Sequence, residues 1–234
     1  MKKLFAAISL ALTVITNTAI AATIPNAQDW EFLYTRQVVP GGDVTFLAAA
    51  KGDAHSQYIL GNSFGHSGAY PVNKKLEVYW TKKAYEQGHV GAAGKLGVIY
   101  GYGHSGYGVD RDRMRGIRML EIAADAGIVS AQLNLGKLLD NTSVFINPDR
   151  ESLEQIDANH KRAMYWYTKA ADTDNGDDNN AAQAMVMLAD KYKSGAYVEQ
   201  DLHKAAVYYT RACAAGLSYV CNDASKLLEK GYKP

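Results

Sequence analysis

One stretch of the sequence has residue types suited to catalysis. Tyr100–Arg113, YGYGHSGYGVDRDR, places His104 beside Ser105 among glycines, and acidic residues follow. A nucleophilic serine of this kind needs a G-x-S-x-G turn after a strand. No strand pattern precedes the serine, and Tyr107 stands where the motif requires its second glycine. The GHSG core also recurs in FGHSGAYPVNKK, Phe64–Lys75. The sequence therefore predicts a repeated turn and no catalytic residue.

Two sets of residues could bind metal. His66 and His104 could share an ion across neighbouring helical hairpins, but hairpins stack about 10 Å apart and no third ligand is apparent. The acidic run 172–180, DTDNGDDNN, resembles a calcium loop. Its glycine falls one position early, and Gln183 stands where an EF-hand has glutamate. We expect a solvated turn there, with weak calcium binding as the alternative, and no metal or cofactor elsewhere.

The N-terminus has the pattern of a secretory signal peptide. Two lysines, an apolar run and an A-x-A site fill residues 1–21. The apolar run is too short for a stable membrane span, although an uncleaved anchor is an alternative. We expect a mature chain that starts near Ala22 and is periplasmic or secreted, without a membrane span.

The charge of the mature chain argues against a nucleic-acid partner. Loss of Lys2 and Lys3 would take the net charge from +1 to about −1, and no basic run is present. The two cysteines, Cys213 and Cys221, are expected to form a disulfide in an oxidising compartment. A loop this short predicts about 2–3 kcal/mol of stabilisation.

The chain repeats a two-part pattern four times. Leu60, Leu96, Leu135 and Leu188 each lie among small residues at fixed offsets, and a second motif follows each one: YWTKKAYEQG, MLEIAADAG, YWYTKAADTD and YYTRACAAG. Apolar residues three and four apart predict a helix in each part. A single hairpin cannot bury its apolar face alone, so the hairpins must stack. His160 and His203 are expected to open their second helices and to face solvent.

The fourth unit resembles the Sel1-like repeat, a relative of the tetratricopeptide repeat. Gly195–Gly216, GAYVEQDLHKAAVYYTRACAAG, matches that pattern at many fixed positions. The resemblance covers about Gly42 to the C-terminus and implies an all-α fold, a right-handed α-solenoid (superhelix) of about four helix-turn-helix repeats. The pair Cys213/Cys221 also resembles a secreted, cysteine-rich branch in which every repeat carries a disulfide; this chain has only one pair.

The predicted domain boundaries follow from this pattern. Residues 1–21 are the signal peptide, 22–42 a helical cap around Trp30, and 43–234 the repeats. The predicted units are about 52–88, 88–127, 127–176 and 177–216, with a half unit at 217–234. A long insert at 140–159 separates the two helices of the third unit.

The resemblance implies a scaffold that binds a protein or peptide on its concave face. Taking the four leucines as equivalent, positions −5, −2 and +2 should line that face. The residues assigned to it are His55, Tyr58, Asn62, Ser130, Lys137, Gln183 and Asp190. Gly91 and Gly94 are expected to leave a bare floor for a partner backbone. An ordinary polar surface is the alternative, and we expect a monomer.

A second hypothesis is enzymatic. Some secreted, cysteine-rich relatives bind or slowly hydrolyse penicillins, so the resemblance includes weak β-lactamase-like activity as an alternative. The sequence shows no S-x-x-K motif, and no histidine spacing typical of a zinc enzyme. The primary expectation is a non-catalytic protein.

Overall fold

The described part of the chain is all-helical. A computed structural model describes residues 44–67, 72–103, 105–141, 153–173 and 179–233, and within them no strand occurs. The α-helices are α1 (Val44–Ala50), α2 (Ala54–Gly65), α3 (Lys74–Glu86), α4 (Val90–Tyr102), α5 (Arg113–Asp125), α6 (Val129–Asp140), α7 (Leu153–Ala171), α8 (Asn179–Ser194), α9 (Leu202–Ala214) and α10 (Cys221–Glu229). A 3₁₀ turn, Ser218–Val220, precedes α10. The all-α prediction is confirmed.

The helices belong to two compact units. The first contains α1–α3 together with Gly106–Gly108, and the second contains α4–α10. In both units, consecutive helices pack against each other as hairpins. In the second unit, α4 also contacts α6, and α6 contacts α8, so the first helices of successive hairpins are neighbours.

A recurring backbone hydrogen bond closes three hairpins. The residue that caps each second helix donates its N–H to an aromatic residue near the end of the first helix: Asn73 to Phe64 O, Asp112 to Tyr100 O, and Asp201 to Tyr192 O, at 2.8, 2.8 and 2.9 Å. The side chains of these capping residues, Asn73, Asp112 and Asp201, each accept a hydrogen bond from a backbone N–H in the first turn of the second helix. This bond satisfies a donor that the helix itself leaves unpaired. The predicted turn between α4 and α5 is therefore observed over its described residues, which exclude His104.

A glycine with positive φ follows α1 and three second helices, α3, α5 and α9. Gly52, Gly88, Gly127 and Gly216 have φ between +82° and +103°. An added Cβ would meet no atom within 4 Å at any of them, so the backbone conformation alone explains why glycine stands there. Gly52 follows α1 in the same way, although the repeat pattern did not predict α1 as a separate helix.

Glycines also allow paired helices to approach closely. An added Cβ would lie 2.7 Å from Thr81 Oγ1 at Gly61, 2.7 Å from Leu120 Cγ at Gly97, and 2.5 Å from Tyr167 Cε1 at Gly136. These three glycines each follow a repeat leucine, and all four repeat leucines are fully buried. The predicted core positions are confirmed.

The predicted disulfide is present between Cys213 and Cys221, whose Cα atoms lie 5.0 Å apart. It links the end of α9 to the first residue of α10. The C-terminal core beside it contains Tyr209, Val220 and Leu227. The disulfide therefore fixes the last turn against the helices that carry this core.

Several predictions fall outside the described residues. These are the signal peptide at 1–21, the cap at 22–42, most of the acidic run 172–180 and the first part of the insert 140–159. Among the helices that are described, none is both long and apolar enough to cross a membrane.

Candidate interaction face of the first helices

Polar side chains connect the first helices of the second unit. Tyr102 OH of α4 donates to Asn134 O of α6 at 3.3 Å. Lys137 Nζ of α6 donates to Gln183 Oε1 of α8 at 3.0 Å. We call the surface formed by Tyr102, Asn134, Lys137 and Gln183 the first-helix face. Tyr102 and Asn134 were not among the predicted residues, although they lie one turn or less from predicted positions.

The structure brings two of the predicted binding residues into contact. Lys137 and Gln183 form the pair just described, and both are half-buried. Ser130 is exposed, and its carbonyl accepts from Asn134 Nδ2 at 2.7 Å. Asp190 is exposed and accepts a hydrogen bond from Tyr209 OH.

The other three predicted residues lie on α2, in the first unit. His55 is exposed, whereas Tyr58 and Asn62 are half-buried. The carbonyl of Asn62 lies 3.2 Å from His66 Nδ1, one turn later in the chain. These residues form one surface of α2, and their part in partner binding stays a prediction.

In the second compact unit, the position two residues before each repeat leucine, the −2 position, was wrongly assigned to the open surface. Leu133 and Val186 occupy it in the third and fourth repeats and are 2% and 5% exposed. Gly94 occupies it in the second repeat and is also buried; an added Cβ would lie 3.1 Å from Ala123 Cβ on α5. Gly94 therefore faces its own partner helix. The expectation of a bare floor at this glycine is wrong, because the −2 position points toward the second helix of its own hairpin.

Lys137 is the distinctive charge of the first-helix face. Within the described part of the chain its ammonium makes no ion pair, and its hydrogen-bond partner, Gln183, is neutral. Burial lowers the pKa of Lys137 from its ordinary value of 10.5, because the charged form loses hydration. A carboxylate from a bound partner could neutralise this half-buried cation.

A charged cluster lies at the ends of the same helices. Asp140, the last residue of α6, accepts from Lys191 Nζ of α8 at 2.7 Å and lies 3.0 Å from His160 Nδ1 of α7. Its other oxygen lies 3.5 Å from Tyr167 OH. Burial, and secondarily the Asp140 charge, raises the pKa of Tyr167. One carboxylate thus joins three helices.

The prediction that His160 faces solvent is wrong. Its side chain is 2% exposed, and its ring stacks on Tyr197 with 3.3 Å between centroids. The reason is that α7 begins at Leu153, about two turns before the expected helix start, so His160 lies within the helix. The spacing of Ile156, His160, Ala163 and Tyr167 could have indicated this longer helix. His203, in contrast, is exposed near the start of α9.

No observation among the described residues supports either of the two possible metal sites. The described residues contain no group of three or more His, Cys, Asp or Glu side chains that could hold an ion. His66 is exposed, while its proposed partner His104 lies outside the described residues. Asp172, at the start of the acidic run, lies 3.7 Å from Arg211 Nη1. Calcium binding by this run stays a prediction.

A comparison with protein families identifies the repeats. The Sel1 repeat matches residues 54–89, 91–128, 151–175 and 182–217, which together make up more than half of the chain. A search of curated proteins found no match.

Solved structures show the same fold at low sequence identity. One is c5321, described as a protective antigen of uropathogenic Escherichia coli strains displaying an SLR fold, with TM-score 0.62 and 21% identity. The match covers 89% of this chain but only 37% of the E. coli chain. Another is a Sel1 repeat protein from Oxalobacter formigenes, with TM-score 0.62, 20% identity, and coverage of 86% of this chain and 74% of that one. At these identities the similarity shows a shared fold.

Proposed function

Because the chain belongs to the Sel1 repeat family, whose members generally act as protein–protein interaction scaffolds, we propose that it is a non-catalytic scaffold of the bacterial cell envelope. It binds a protein or peptide on the first-helix face. The observation that carries this proposal is Lys137, a half-buried ammonium with a neutral hydrogen-bond partner and no carboxylate within 4 Å among the described residues.

The chemistry of Lys137 indicates the kind of partner segment. A carboxylate that reaches this ammonium replaces water around a cation that burial has already partly desolvated, so a charge-assisted hydrogen bond is favourable there. Gln183 Oε1 holds the ammonium in place, and the amide nitrogen of Gln183 is a further donor. The partner segment therefore carries an Asp, a Glu or a chain-terminal carboxylate.

The envelope location rests on two features. The first is the signal-peptide pattern of residues 1–21. The second is the disulfide between Cys213 and Cys221, a bond that persists in oxidising compartments such as the periplasm. Both features support a periplasmic or secreted protein.

Affinity capture tests the proposal. The mature chain, Ala22 to Pro234, is immobilised and exposed to envelope proteins of the bacterium that encodes it. Wild type is compared with Lys137→Gln and with Lys226→Gln, which removes the same charge from an exposed position on α10. We expect a protein that wild type and Lys226→Gln retain and Lys137→Gln loses. Equal retention by all three folded proteins would contradict the proposed face.

No structural observation among the described residues supports the hypothesis of penicillin binding or hydrolysis. Its test is hydrolysis of a chromogenic cephalosporin by the folded, oxidised protein at high concentration. The scaffold proposal predicts no turnover above that of a heat-denatured sample.

A further inference from the structure

A groove lies between two second helices of the second unit, α5 and α7. It has a volume of about 540 Å³ and is lined by Glu121 and Asp125 of α5 and by Lys161, Arg162, Tyr165 and Trp166 of α7. This volume is within the usual range of ligand pockets and exceeds what a single small ion needs. The groove is built from different helices than the first-helix face.

One wall of the groove is an exposed aromatic surface. The Tyr165 side chain is 53% exposed, and its ring packs edge-on against Trp166 at 5.0 Å between centroids. Lys169 Nζ lies 5.7 Å from the centre of the Tyr165 ring. A cation can therefore reach this ring face, and an exposed lysine one turn away is readily displaced.

The charges that line the groove are paired except for one. Arg162 forms an ion pair with Glu121, and Lys161 pairs with Asp157 at 2.7 Å. The Asp125 carboxylate makes no hydrogen bond or ion pair among the residues that the structure describes. It is exposed and is the last residue of α5, where the helix dipole adds partial negative charge. The groove therefore has one unneutralised negative end.

We propose that this groove binds an arginine side chain from a protein partner, with its guanidinium between the Asp125 carboxylate and the Tyr165 ring. Arginine fits better than lysine because its planar guanidinium can stack on an aromatic ring while its N–H groups donate to a carboxylate. The rest of the groove holds the residues that flank this arginine.

A peptide titration tests the proposal on the full mature chain. The probe is a terminally blocked Ala-Leu-Arg-Leu-Ala peptide, followed by amide and indole NMR signals of the isotope-labelled protein. Matched peptides replace arginine with citrulline, which keeps the shape without the charge, or with lysine. We expect saturable shifts at Asp125 and at the Trp166 indole, with binding of the citrulline and lysine peptides at least about fivefold weaker.

Two variants separate this site from other effects. Asp125→Asn should weaken binding of the arginine peptide at least about fivefold, whereas Asp110→Asn, at another exposed acid of the same unit, should leave it unchanged. The proposal is overturned if no saturable shift occurs, if the citrulline or lysine peptide binds as tightly as the arginine peptide, or if Asp125→Asn has no effect. Lys137→Gln should not alter this binding, so failure here is distinguishable from failure of the first-helix face.

Discussion

Asp140 and His160 are joined across two helices, with 3.0 Å between Oδ1 and Nδ1, although part of the longest insert in the chain separates them in sequence. Lys191 approaches the same oxygen to 2.7 Å. The His160 side chain is 2% exposed, and those of Asp140 and Lys191 are each 18% exposed. This carboxylate therefore fixes the end of the first-helix face to the second helix of the same hairpin.

Asp140→Asn should lower the free energy of unfolding by about 2–3 kcal/mol. The substitution keeps the shape of the side chain but leaves a largely buried ammonium without its counter-charge. Urea denaturation at pH 7 measures the change. Asp110→Asn, at an exposed position, serves as the control and should change the stability by less than about 0.5 kcal/mol. Equal effects of the two substitutions would show that the Asp140 cluster adds no stability.

Tyr197 should be more sensitive to alanine than to glycine. It has φ +64°, a strained value for a residue with a Cβ, and its ring stacks on His160. Both substitutions remove the stacking, but glycine also relieves the backbone strain. We expect Tyr197→Ala to be less stable than Tyr197→Gly by about 1 kcal/mol, as measured by chemical denaturation. The reverse order would contradict this assignment of strain.

Gly97→Ala should destabilise the protein far more than Gly94→Ala. Both glycines lie in α4 and face α5. Alanine has a higher helix propensity than glycine, and this gain is the same at both positions, so it cancels in the comparison. At Gly97 the new Cβ would lie 2.9 Å from Leu120 N, a backbone atom that cannot move aside cheaply. At Gly94 the nearest atom is Ala123 Cβ at 3.1 Å. The expected difference in unfolding free energy is about 2 kcal/mol, and thermal or urea unfolding of the two variants would detect it.

Alkaline pH should destabilise the fold partly through Tyr102. Burial raises the pKa of Tyr102 to about 12, from an ordinary value of 10.0. Between these values the unfolded chain loses the phenolic proton and the folded chain keeps it. This contribution to stability is therefore intact below pH 10 and is lost as the pH rises toward 12.

The matched variant is Tyr102→Phe. It should reduce the loss of stability between pH 9 and pH 11 by about 1 kcal/mol, as measured by urea denaturation at the two pH values. Tyr219→Phe removes a phenol that is 66% exposed and should leave the loss as in wild type. If Tyr102→Phe behaves like Tyr219→Phe, Tyr102 does not cause the alkaline effect.

The repeat period made the helices predictable. A leucine followed by glycine recurs ahead of each of the first three second motifs, and this pattern placed Leu60, Leu96 and Leu135 in the core, where all are fully buried. The disulfide followed from residue type and expected compartment. In contrast, α1 was missed because it lies before the first recognised repeat, which begins near Gly52 in the repeat pattern.

The candidate site was predictable only in part. Repeat register placed Lys137 and Gln183 on neighbouring helices, where they form a hydrogen bond. The Asp140–His160 contact could not be predicted, because it depends on where the insert ends and α7 begins. The same register failed at Gly94. An alignment on one leucine per repeat does not show which side of the first helix is open and which side faces its partner helix.

The most direct test of the scaffold function is the dissociation constant of the captured partner, measured by isothermal titration calorimetry for wild type, Lys137→Gln and Lys226→Gln. If the partner carboxylate contacts the Lys137 ammonium, Lys137→Gln should weaken binding about tenfold or more, while Lys226→Gln should bind like wild type. Equal affinity of the partner for Lys137→Gln and wild type, with both proteins folded and oxidised, would contradict binding on the first-helix face.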